Sequence, residues 1–308
     1  MKFGKLQDIS KVDFTLPQDA ASNKALFDRL PKFDKAKIFI GCTGWSMKEW
    51  VGRVYPKGTK TKDYLQHYGK QFNTIELNTT HYRIPSFDMI QKWYKETPAD
   101  FRFCPKIPQT ISHRNDMGLR DGSLQLFCES IIGLKEKLGC CFMQMPPYFS
   151  VKEIARLRLF LEQFPHEIPL ALEFRHESWF ESEHNLSLAS DLLMQYGKAI
   201  VITDVAGRRD VLHTRLTNQI AMVRYVGNAG EKTLHPTDFE RLDAWVQKLK
   251  GWTEKGISEV YFFTHEPDNL LAPEAADYFA KAIQENIPAI TRGPEFIDEK
   301  AGEQMSLF

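Results

Sequence analysis

Hydrophobic positions along the chain fall into short apolar runs that alternate with longer amphipathic segments. Eight such runs, rich in β-branched and aromatic residues, occupy residues 37–42, 73–78, 101–106, 140–145, 169–175, 199–204, 220–225 and 259–265. Short runs that are almost continuously apolar are typical of parallel strands buried on both faces. The pattern therefore predicts eight β-strands separated by helices.

Several of the intervening segments carry helix signals. One face of residues 85–98 is apolar and is formed by Phe87, Ile90 and Trp93 or Tyr94. Ser86 is a candidate N-cap for this helix. Ser150 and Glu153 have the spacing of a capping box before the helix predicted over residues 151–164. Two later helices, near residues 236–252 and 273–284, would begin at prolines, which the first helical turn tolerates.

Eight strand–helix units in one chain favour a single closed (β/α)8 TIM barrel, an α/β fold, over an open doubly wound sheet. No G-x-G-x-x-G motif follows a predicted strand, which argues against a dinucleotide-binding fold. The sixth connection, residues 205–219, is poorly periodic, so we expect it to be irregular. We divide the chain into an N-terminal extension packed on the barrel (1–36), the barrel (37–290) and a C-terminal tail (291–308).

Charge and cysteine content limit the kinds of partner and the cellular compartment that we expect for the protein. Forty basic and forty acidic residues cancel, so no global field attracts nucleic acid or a membrane. The first residues include no apolar signal segment, and no apolar run reaches membrane-spanning length. We therefore expect a cytoplasmic protein that does not bind membranes. The five cysteines have no CxxC spacing and are expected to be reduced and buried.

Polar side chains recur at the carboxyl ends of the predicted strands, where a barrel opens into its mouth. The catalytic candidates are the carboxylates Glu76, Glu173 and Asp204. A partly desolvated cleft can separate carboxyl pKa values into those of an acid and a base. Arginines nearby suit a phosphate or carboxylate, because a guanidinium engages two oxygens. The substrate-binding candidates are Trp45, Asn78, Tyr82, Lys106, Gln144, Arg175, Trp179, Arg224 and His265.

One alternative to this catalytic interpretation remains at the level of single residues. The pairs Glu173–Arg175 and Asp204–Arg224 could be salt bridges with a structural role, since ion-pair networks also perturb pKa values. We predict no metal site, because the strand-end ligands lack close spacings such as HxH or HExxH. The sequence leaves any cofactor unidentified.

Six segments together resemble one known family. Residues 41–56, 72–86, 101–113, 142–149, 172–180 and the region near 260 are similar to the domain-of-unknown-function 72 family, also called YecE-like. The resemblance implies a TIM barrel whose mouth is built from these positions, and it implies no particular activity. Two departures concern the last two strands. Arg224 is followed by Tyr225-Val226-Gly227 instead of His-Gly, and Thr264-His265 stands where paired asparagines are usual.

The end of the sequence carries a second motif. Residues Gln304 to Phe308 resemble the short peptide with which bacterial DNA polymerases and repair proteins dock on the sliding clamp. Met305, Leu307 and Phe308 would be anchors in an apolar groove, and Gln304 would form hydrogen bonds at its edge. The alternative is that Leu307 and Phe308 pack against helices of the same chain.

Three functions follow from these observations. The first, which we favour, is an enzyme that binds an anionic, phosphate-bearing small molecule or nucleic acid and is recruited to a sliding clamp by its tail. The second is an isomerase-like or hydrolase-like enzyme for a sugar or sugar phosphate, with Glu76 and Glu173 as acid and base. The third is a binding barrel without catalysis, in which the charges at the mouth are structural.

Overall fold

Strands and helices alternate along most of the chain, and the computed structural model describes residues 4, 6–230 and 232–297. The strands in this part are β1 (Ala36–Gly41), β2 (Thr74–Leu77), β3 (Arg102–Pro105), β4 (Cys141–Gln144), β5 (Leu170–Glu173), β6 (Ala199–Asp204), β7 (Ile220–Val226), β8 (Glu259–His265) and β9 (Ala289–Ile290). The helices are α1 (Ser22–Phe27), α2 (Tyr64–Gln71), α3 (Phe87–Glu96), α4 (Gln109–Ser112), α5 (Ser123–Ile132), α6 (Ile154–Gln163), α7 (Glu183–Gln195), α8 (Pro236–Glu254) and α9 (Ala272–Asn286). All eight predicted strands are confirmed, and β9 was not predicted.

The strands pair in parallel but do not form one closed ladder. Seven of them make a sheet in the order β4-β5-β6-β7-β8-β1-β9, and β2 pairs with β3 separately. Hydrogen bonds outside the ladders link the two sheets at both junctions. Glu76 N donates to Cys42 O at 3.0 Å, and Ile107 N donates to Phe142 O at 2.8 Å. The predicted α/β fold with parallel strands is confirmed, but the sheet is not closed as the predicted barrel requires.

Side chains replace the ladder at the junction between β1 and β2. Asn73 accepts a hydrogen bond from Ile40 N at 2.7 Å and donates one to Ile38 O at 3.0 Å. The Tyr68 hydroxyl accepts from Cys42 N at 2.8 Å and donates to Thr74 O at 3.0 Å. Because buried backbone groups must be paired, these two side chains satisfy the strand edges without continuous strand pairing.

Two details of the predicted helices change. Ser86 caps α3 through the Met89 amide, as predicted, but Phe87 is 72% exposed and does not join the buried face. The capping box at Ser150 is wrong: residues 151–153 form a 3-10 turn, and the Ser150 side chain makes no cap bond. Glu153 instead pairs with the Arg156 guanidinium within the helix that follows. The Glu153 carboxylate is therefore held by a charged partner and does not return to the cap.

The connection between β6 and β7 has no α-helix, as its weak periodicity predicted. It contains a 3-10 segment, Ala206–Val211, and is tied to the N-terminal region by the buried Asn23 side chain. The Asn23 amide donates to Thr214 O at 2.7 Å, and its carbonyl accepts from Leu216 N at 2.9 Å. The N-terminal region also contacts α8, where Trp252 donates to Asp19 at 2.9 Å.

An inner core fills the space between the strands below their carboxyl ends. It is formed by Phe39, Cys104, Cys140, Phe142, Ala171, Ala199, Val201, Met222, Tyr261 and Phe263. Side chains alternate along a strand, so these residues fix which strand-end side chains point inward. All five cysteines are free and buried, as predicted. Within the described ranges, no helix combines the length and apolar character needed to cross a membrane.

Candidate functional site

Eight of the predicted site residues meet in one hydrogen-bonded group at the carboxyl ends of the strands. We call it the strand-end cluster; its members are Glu76, Asn78, Lys106, Gln144, Glu173, Arg175, Arg224 and His265. Their side chains lie on the same face of the strands as the inner core. Phe142 precedes Gln144 by two residues, and Met222 precedes Arg224 by two. The structure therefore brings these eight predicted residues together at one place.

Arg224 is the centre of the cluster. Its Nε and Nη2 donate to the two carboxylate oxygens of Glu76 at 2.8 Å and 2.9 Å, and Nη1 donates to Glu173 at 2.5 Å. All three side chains are at most 2% exposed. A buried charge is tolerated where partners and hydrogen bonds compensate its desolvation, and each of these groups has both.

Further donors saturate the two carboxylates. Glu76 also accepts from Asn78 Nδ2 and contacts His265 Nε2, each at 2.9 Å. Glu173 accepts from Arg175 Nε at 2.9 Å and from Gln144 Nε2 at 3.0 Å. The Glu173–Arg175 salt bridge considered from the sequence is therefore formed.

Both carboxyl groups are held in the ionised form. Burial alone would raise the pKa of Glu76, but the charges of Arg224 and His265 lower it well below its ordinary value. Burial opposes ionisation of Glu173 as well, and Arg175 and Arg224 lower its pKa to about 2. The expected separation of two carboxyl pKa values into an acid and a base is thus not found, because the same arginine stabilises both anions.

Lys106 lies directly after β3, and its surroundings favour the neutral form of the side chain, in contrast to those of the two carboxylates. It is 5% exposed, and among the described residues its Nζ makes one hydrogen bond, to Gln144 Oε1 at 3.2 Å. The ammonium also lies 5.7 Å from the centre of the Phe142 ring. Burial and the neighbouring Arg224 charge lower the pKa of Lys106 to about 8, despite the attraction of Glu76 and Glu173.

Two histidines beside Lys106 extend the site, although the sequence showed them only as isolated side chains. The rings of His81 and His113 are 5.6 Å apart. Burial, with the Lys106 charge, lowers the pKa of His81 to about 4 and also lowers that of His113. Tyr82 packs edge-on against His81, and the Tyr148 hydroxyl donates to His113 O at 2.9 Å. These neutral rings give the Lys106 side of the cluster an aromatic border.

Asp204 lies outside the cluster, which corrects its predicted place at a shared mouth. The inward positions of β6 are Ala199, Val201 and Thr203, so Asp204 points to the opposite face. There it accepts from Arg241 Nη2 and Trp245 Nε1, each at 2.8 Å. The carboxylate also pairs with Arg209, and the proposed Asp204–Arg224 pair is not formed.

The three aromatic candidates occupy different environments. Trp179 is fully buried, and its Nε1 donates to Phe149 O at 2.7 Å, so the prediction that it binds substrate is wrong for this geometry. Trp45 is half-buried and packs edge-on against Trp93 of α3. Tyr82 is 73% exposed and is the aromatic candidate that stands at the edge of the site.

The remaining predictions concern metals and the tail. Among the described residues, no group of three or more His, Cys, Asp or Glu side chains is arranged to hold a metal ion. The motif formed by Gln304, Met305, Leu307 and Phe308 lies outside the described residues. Docking of this motif on a partner therefore stays a prediction.

Comparison with known proteins places this arrangement in a family. A family model described as "Protein of unknown function DUF72" matches residues 39–296. UPF0759 protein YecE of Escherichia coli (strain K12) is 29% identical over 289 residues, covering 88% of this chain and 100% of that protein. UPF0759 protein YunF of Bacillus subtilis (strain 168) is 34% identical over 151 residues, covering 46% of this chain and 52% of that protein.

A solved structure supports the same fold. The 2.52 Å crystal structure of a DUF72 family protein from Enterococcus faecalis V583 superposes with a TM-score of 0.66 at 21% identity. The match covers 82% of this chain and 99% of that one. At this level of identity the likeness concerns the fold, and the chemistry has to be argued from the site itself.

Proposed function

The chain belongs to the DUF72 family, and we propose that its strand-end cluster is the active site of an enzyme that binds a small phosphate-bearing anion and transfers a proton through Lys106. The observation that carries this proposal is the environment of the Lys106 side chain. It is a buried lysine that makes one hydrogen bond within the described residues, and it lies beside two arginines.

The balance of charge in the cluster favours an anionic ligand. Two carboxylates, Glu76 and Glu173, face two guanidinium groups, Arg175 and Arg224, and these charges cancel. Protonated Lys106 adds a further positive charge, so the cluster carries a net positive charge. An ammonium has three N–H donors, and the bond to Gln144 uses one of them. Two donors therefore remain for the oxygens of a phosphate.

The pKa of Lys106 suits proton transfer near neutral pH. An acid–base group works best when its pKa lies near the operating pH, because both protonation states are then populated. A value of about 8 meets this condition, whereas Glu173, at about 2, stays ionised. Glu76 and Glu173 would accordingly orient Arg224 and the other donors, and the proton would move at Lys106 Nζ.

The finer description of the fold belongs to the same proposal. We treat β1 to β8 as a TIM barrel whose ladder is interrupted at two junctions, with the strand-end cluster at its mouth. Enzymes with this architecture place catalytic residues at the carboxyl ends of several strands. Arg224 supports this view, because it joins β7 to Glu76 on β2 and to Glu173 on β5.

The C-terminal motif supports a second proposed function, recruitment to a bacterial sliding clamp. Met305, Leu307 and Phe308 are spaced as apolar anchors, and Gln304 precedes them. If this peptide docks as proposed, the phosphate bound at the strand ends could belong to nucleic acid. The two proposals are independent, since neither requires the other.

Calorimetric titration with inorganic phosphate tests the enzyme proposal. Wild-type protein should bind phosphate at pH 7 and bind it more weakly as the pH rises through about 8. Lys106→Met should weaken binding at least about tenfold, as expected for a lost charge-assisted bond. Lys92→Met, which removes an exposed lysine from α3, is the control and should bind normally. Unchanged phosphate binding by Lys106→Met would overturn the proposal.

A further inference from the structure

A cavity of about 400 Å³ adjoins the strand-end cluster at the ends of β6, β7 and β8. We call it the β6–β8 pocket; its lining includes Thr203, Gly227, Asn228 and Glu266, together with Arg175 and Arg224 of the cluster. The N-terminal residues Leu6 and Ile9 lie against it from outside. Its volume is in the range of small-molecule sites.

Two residues that line this pocket each have a buried polar atom without a hydrogen-bond partner in the described part of the chain. These atoms are Thr203 Oγ1 and Glu266 Oε1. Thr203 is 6% exposed and Glu266 is 4% exposed. An unpaired buried hydroxyl or carboxyl oxygen is destabilising, so natural structures rarely keep one without a ligand or water to satisfy it.

The chain around Glu266 is built to keep its carboxyl group in this position. Glu266 Oε2 accepts a hydrogen bond from Ala229 N at 3.1 Å. A Cβ atom at position 227 would clash with both carboxyl oxygens, so an alanine there would force the Glu266 carboxyl group to move. Gly227 N in turn donates to His265 O at 2.8 Å, which fixes the loop after β7 against β8.

The pocket is lined by polar groups, and its permanent charges are the guanidinium groups of Arg175 and Arg224. Burial and the nearby Asp238 carboxylate raise the pKa of Glu266 to about 8, so the group is mainly a neutral carboxylic acid at pH 7. A neutral carboxylic acid both donates and accepts a hydrogen bond, as does the Thr203 hydroxyl. Arg224 offers little to a phosphate here, because its guanidinium group already binds the carboxylates of Glu76 and Glu173.

We propose that the β6–β8 pocket binds the hydroxyl-bearing part of the substrate through Thr203 and Glu266, which makes the substrate a sugar phosphate. This inference rests on the proposed function for its anionic end, since the phosphate lies beside Lys106. Arg175 and Arg224 belong to the strand-end cluster and also line the pocket, so the two regions adjoin. The hydroxyl groups then supply the partners that Thr203 Oγ1 and Glu266 Oε1 otherwise lack.

Binding of three probes separates the two regions. Calorimetry with methyl phosphate measures the anion alone, ribose measures the hydroxyl groups alone, and ribose 5-phosphate measures both. Wild-type protein should bind ribose 5-phosphate at least about tenfold more tightly than methyl phosphate, the gain expected from one or two added hydrogen bonds. Thr203→Val should remove most of that gain and leave methyl phosphate binding unchanged. Gly227→Ala, which displaces Glu266, should do the same.

Thermal unfolding provides a second readout with a matched control. Thr203→Val removes an unpaired hydroxyl, so the Tm of the unliganded protein should stay the same or rise. Thr217 is also buried, but its Oγ1 donates to Lys198 O at 2.7 Å. Thr217→Val leaves that carbonyl unpaired and should lower the Tm by about 2 °C or more. A comparable loss of Tm in Thr203→Val would show that its hydroxyl has a structural partner, and would overturn the inference.

The outcomes distinguish the pocket from the anion site. If methyl phosphate binds as tightly as ribose 5-phosphate, the pocket inference is wrong and the proposed function stands. If ribose binds and neither phosphate ester binds more tightly than ribose, the proposed function is wrong and the pocket recognises hydroxyl groups alone. If none of the three probes binds, both are wrong.

Discussion

The Arg224 guanidinium binds both carboxylate oxygens of Glu76, at 2.8 Å and 2.9 Å, although 148 positions separate the two residues in the chain. Glu76 belongs to the β2–β3 pair, and Arg224 belongs to the seven-stranded sheet. The strand ladders leave these sheets separate, so this buried ion pair joins them at their carboxyl ends. The same contact therefore supports the architecture and sets the electrostatics of the site.

Replacing Arg224 should destabilise the fold strongly. Arg224→Met leaves Glu76 and Glu173 buried without their shared cation, and breaking a buried pair in this way costs about 3–5 kcal/mol. The free energy of unfolding from urea titration measures the loss. Arg158→Met, which removes an exposed arginine bonded to Gln195, should change stability by less than about 0.5 kcal/mol. Equal stabilities of the two variants would contradict a central role for Arg224.

The lowered pKa of Glu173 predicts a loss of stability in acid. The unfolded carboxyl group has the ordinary value of 4.5, and the folded one has a pKa of about 2. As the pH falls from 4.5 towards 2, the unfolded state takes up a proton first, so unfolding becomes more favourable. The contribution is complete above pH 4.5 and corresponds to about 3 kcal/mol.

Glu173→Gln should therefore unfold with a shallower dependence on pH between 2 and 5. Thermal unfolding across that range measures the slope. The control is Glu254→Gln, an exposed carboxyl near the end of α8, which should keep the wild-type slope. Parallel curves for wild-type protein and Glu173→Gln would show that Glu173 is not held ionised by its arginines.

Two buried lysines should differ in what they contribute to stability. Lys198 donates to three backbone carbonyls, those of Pro165, His166 and Ile168, at 3.0–3.1 Å. Lys198→Met removes all three hydrogen bonds and should lower the Tm. Lys106→Met removes one hydrogen bond and relieves a penalty on the buried charge, so its Tm should equal or exceed that of wild type below pH 8.

The direction of the Lys106 pKa shift also predicts the pH range over which its buried charge destabilises the fold. The folded pKa, about 8, lies below the ordinary 10.5, so the unfolded state binds the proton more tightly. The penalty is complete below pH 8 and disappears as the pH rises to 10.5. Wild-type protein should therefore gain stability over this range relative to Lys106→Met. An equal loss of Tm in Lys106→Met and Lys198→Met would show that Lys106 is a structural lysine.

The C-terminal motif gives a prediction that is independent of the site. Phe308→Ala should abolish binding of the protein to a purified bacterial sliding clamp, because the groove loses its terminal anchor. Surface plasmon resonance with immobilised clamp measures the interaction. Ser306→Ala changes a residue between the anchors and should bind normally. Absence of binding by wild-type protein, or equal binding by Phe308→Ala, removes the recruitment proposal.

The sequence was sufficient to predict where the strands lie and which strand ends carry the site. Apolar runs located β1 to β8 to within about two residues, because buried parallel strands are nearly uniform in composition. It was harder to predict which side chains of each strand point inward. In β6, Asp204 appeared to be the functional residue, yet Ala199 and Val201 point inward, so Thr203 reaches the pocket. The alternation of side chains along β6 would have identified Thr203 if the inward face of the strand had been known.

Other features depend on contacts between distant segments and were not predictable from local pattern. Asn73 and Tyr68 bridge β1 and β2 with their side chains, which interrupts the expected ladder. The pKa values of Glu173 and Lys106 move in response to the charge and burial of the whole cluster. From the sequence, Glu173 was a candidate catalytic base, whereas in the fold the neighbouring arginines lower its pKa and make it a weak base.

The ionisation of Lys106 is the central claim, and nuclear magnetic resonance measures it directly. Protein labelled with ¹³C at lysine Cε is titrated from pH 6 to 11, and the Lys106 signal is assigned from its absence in Lys106→Arg. We expect the Lys106 titration to have a midpoint near pH 8. The midpoint should shift upward when inorganic phosphate binds, because an anion stabilises the ammonium. A midpoint at the ordinary value of 10.5, unaffected by phosphate, would contradict the assignment of this lysine as the proton-transferring group.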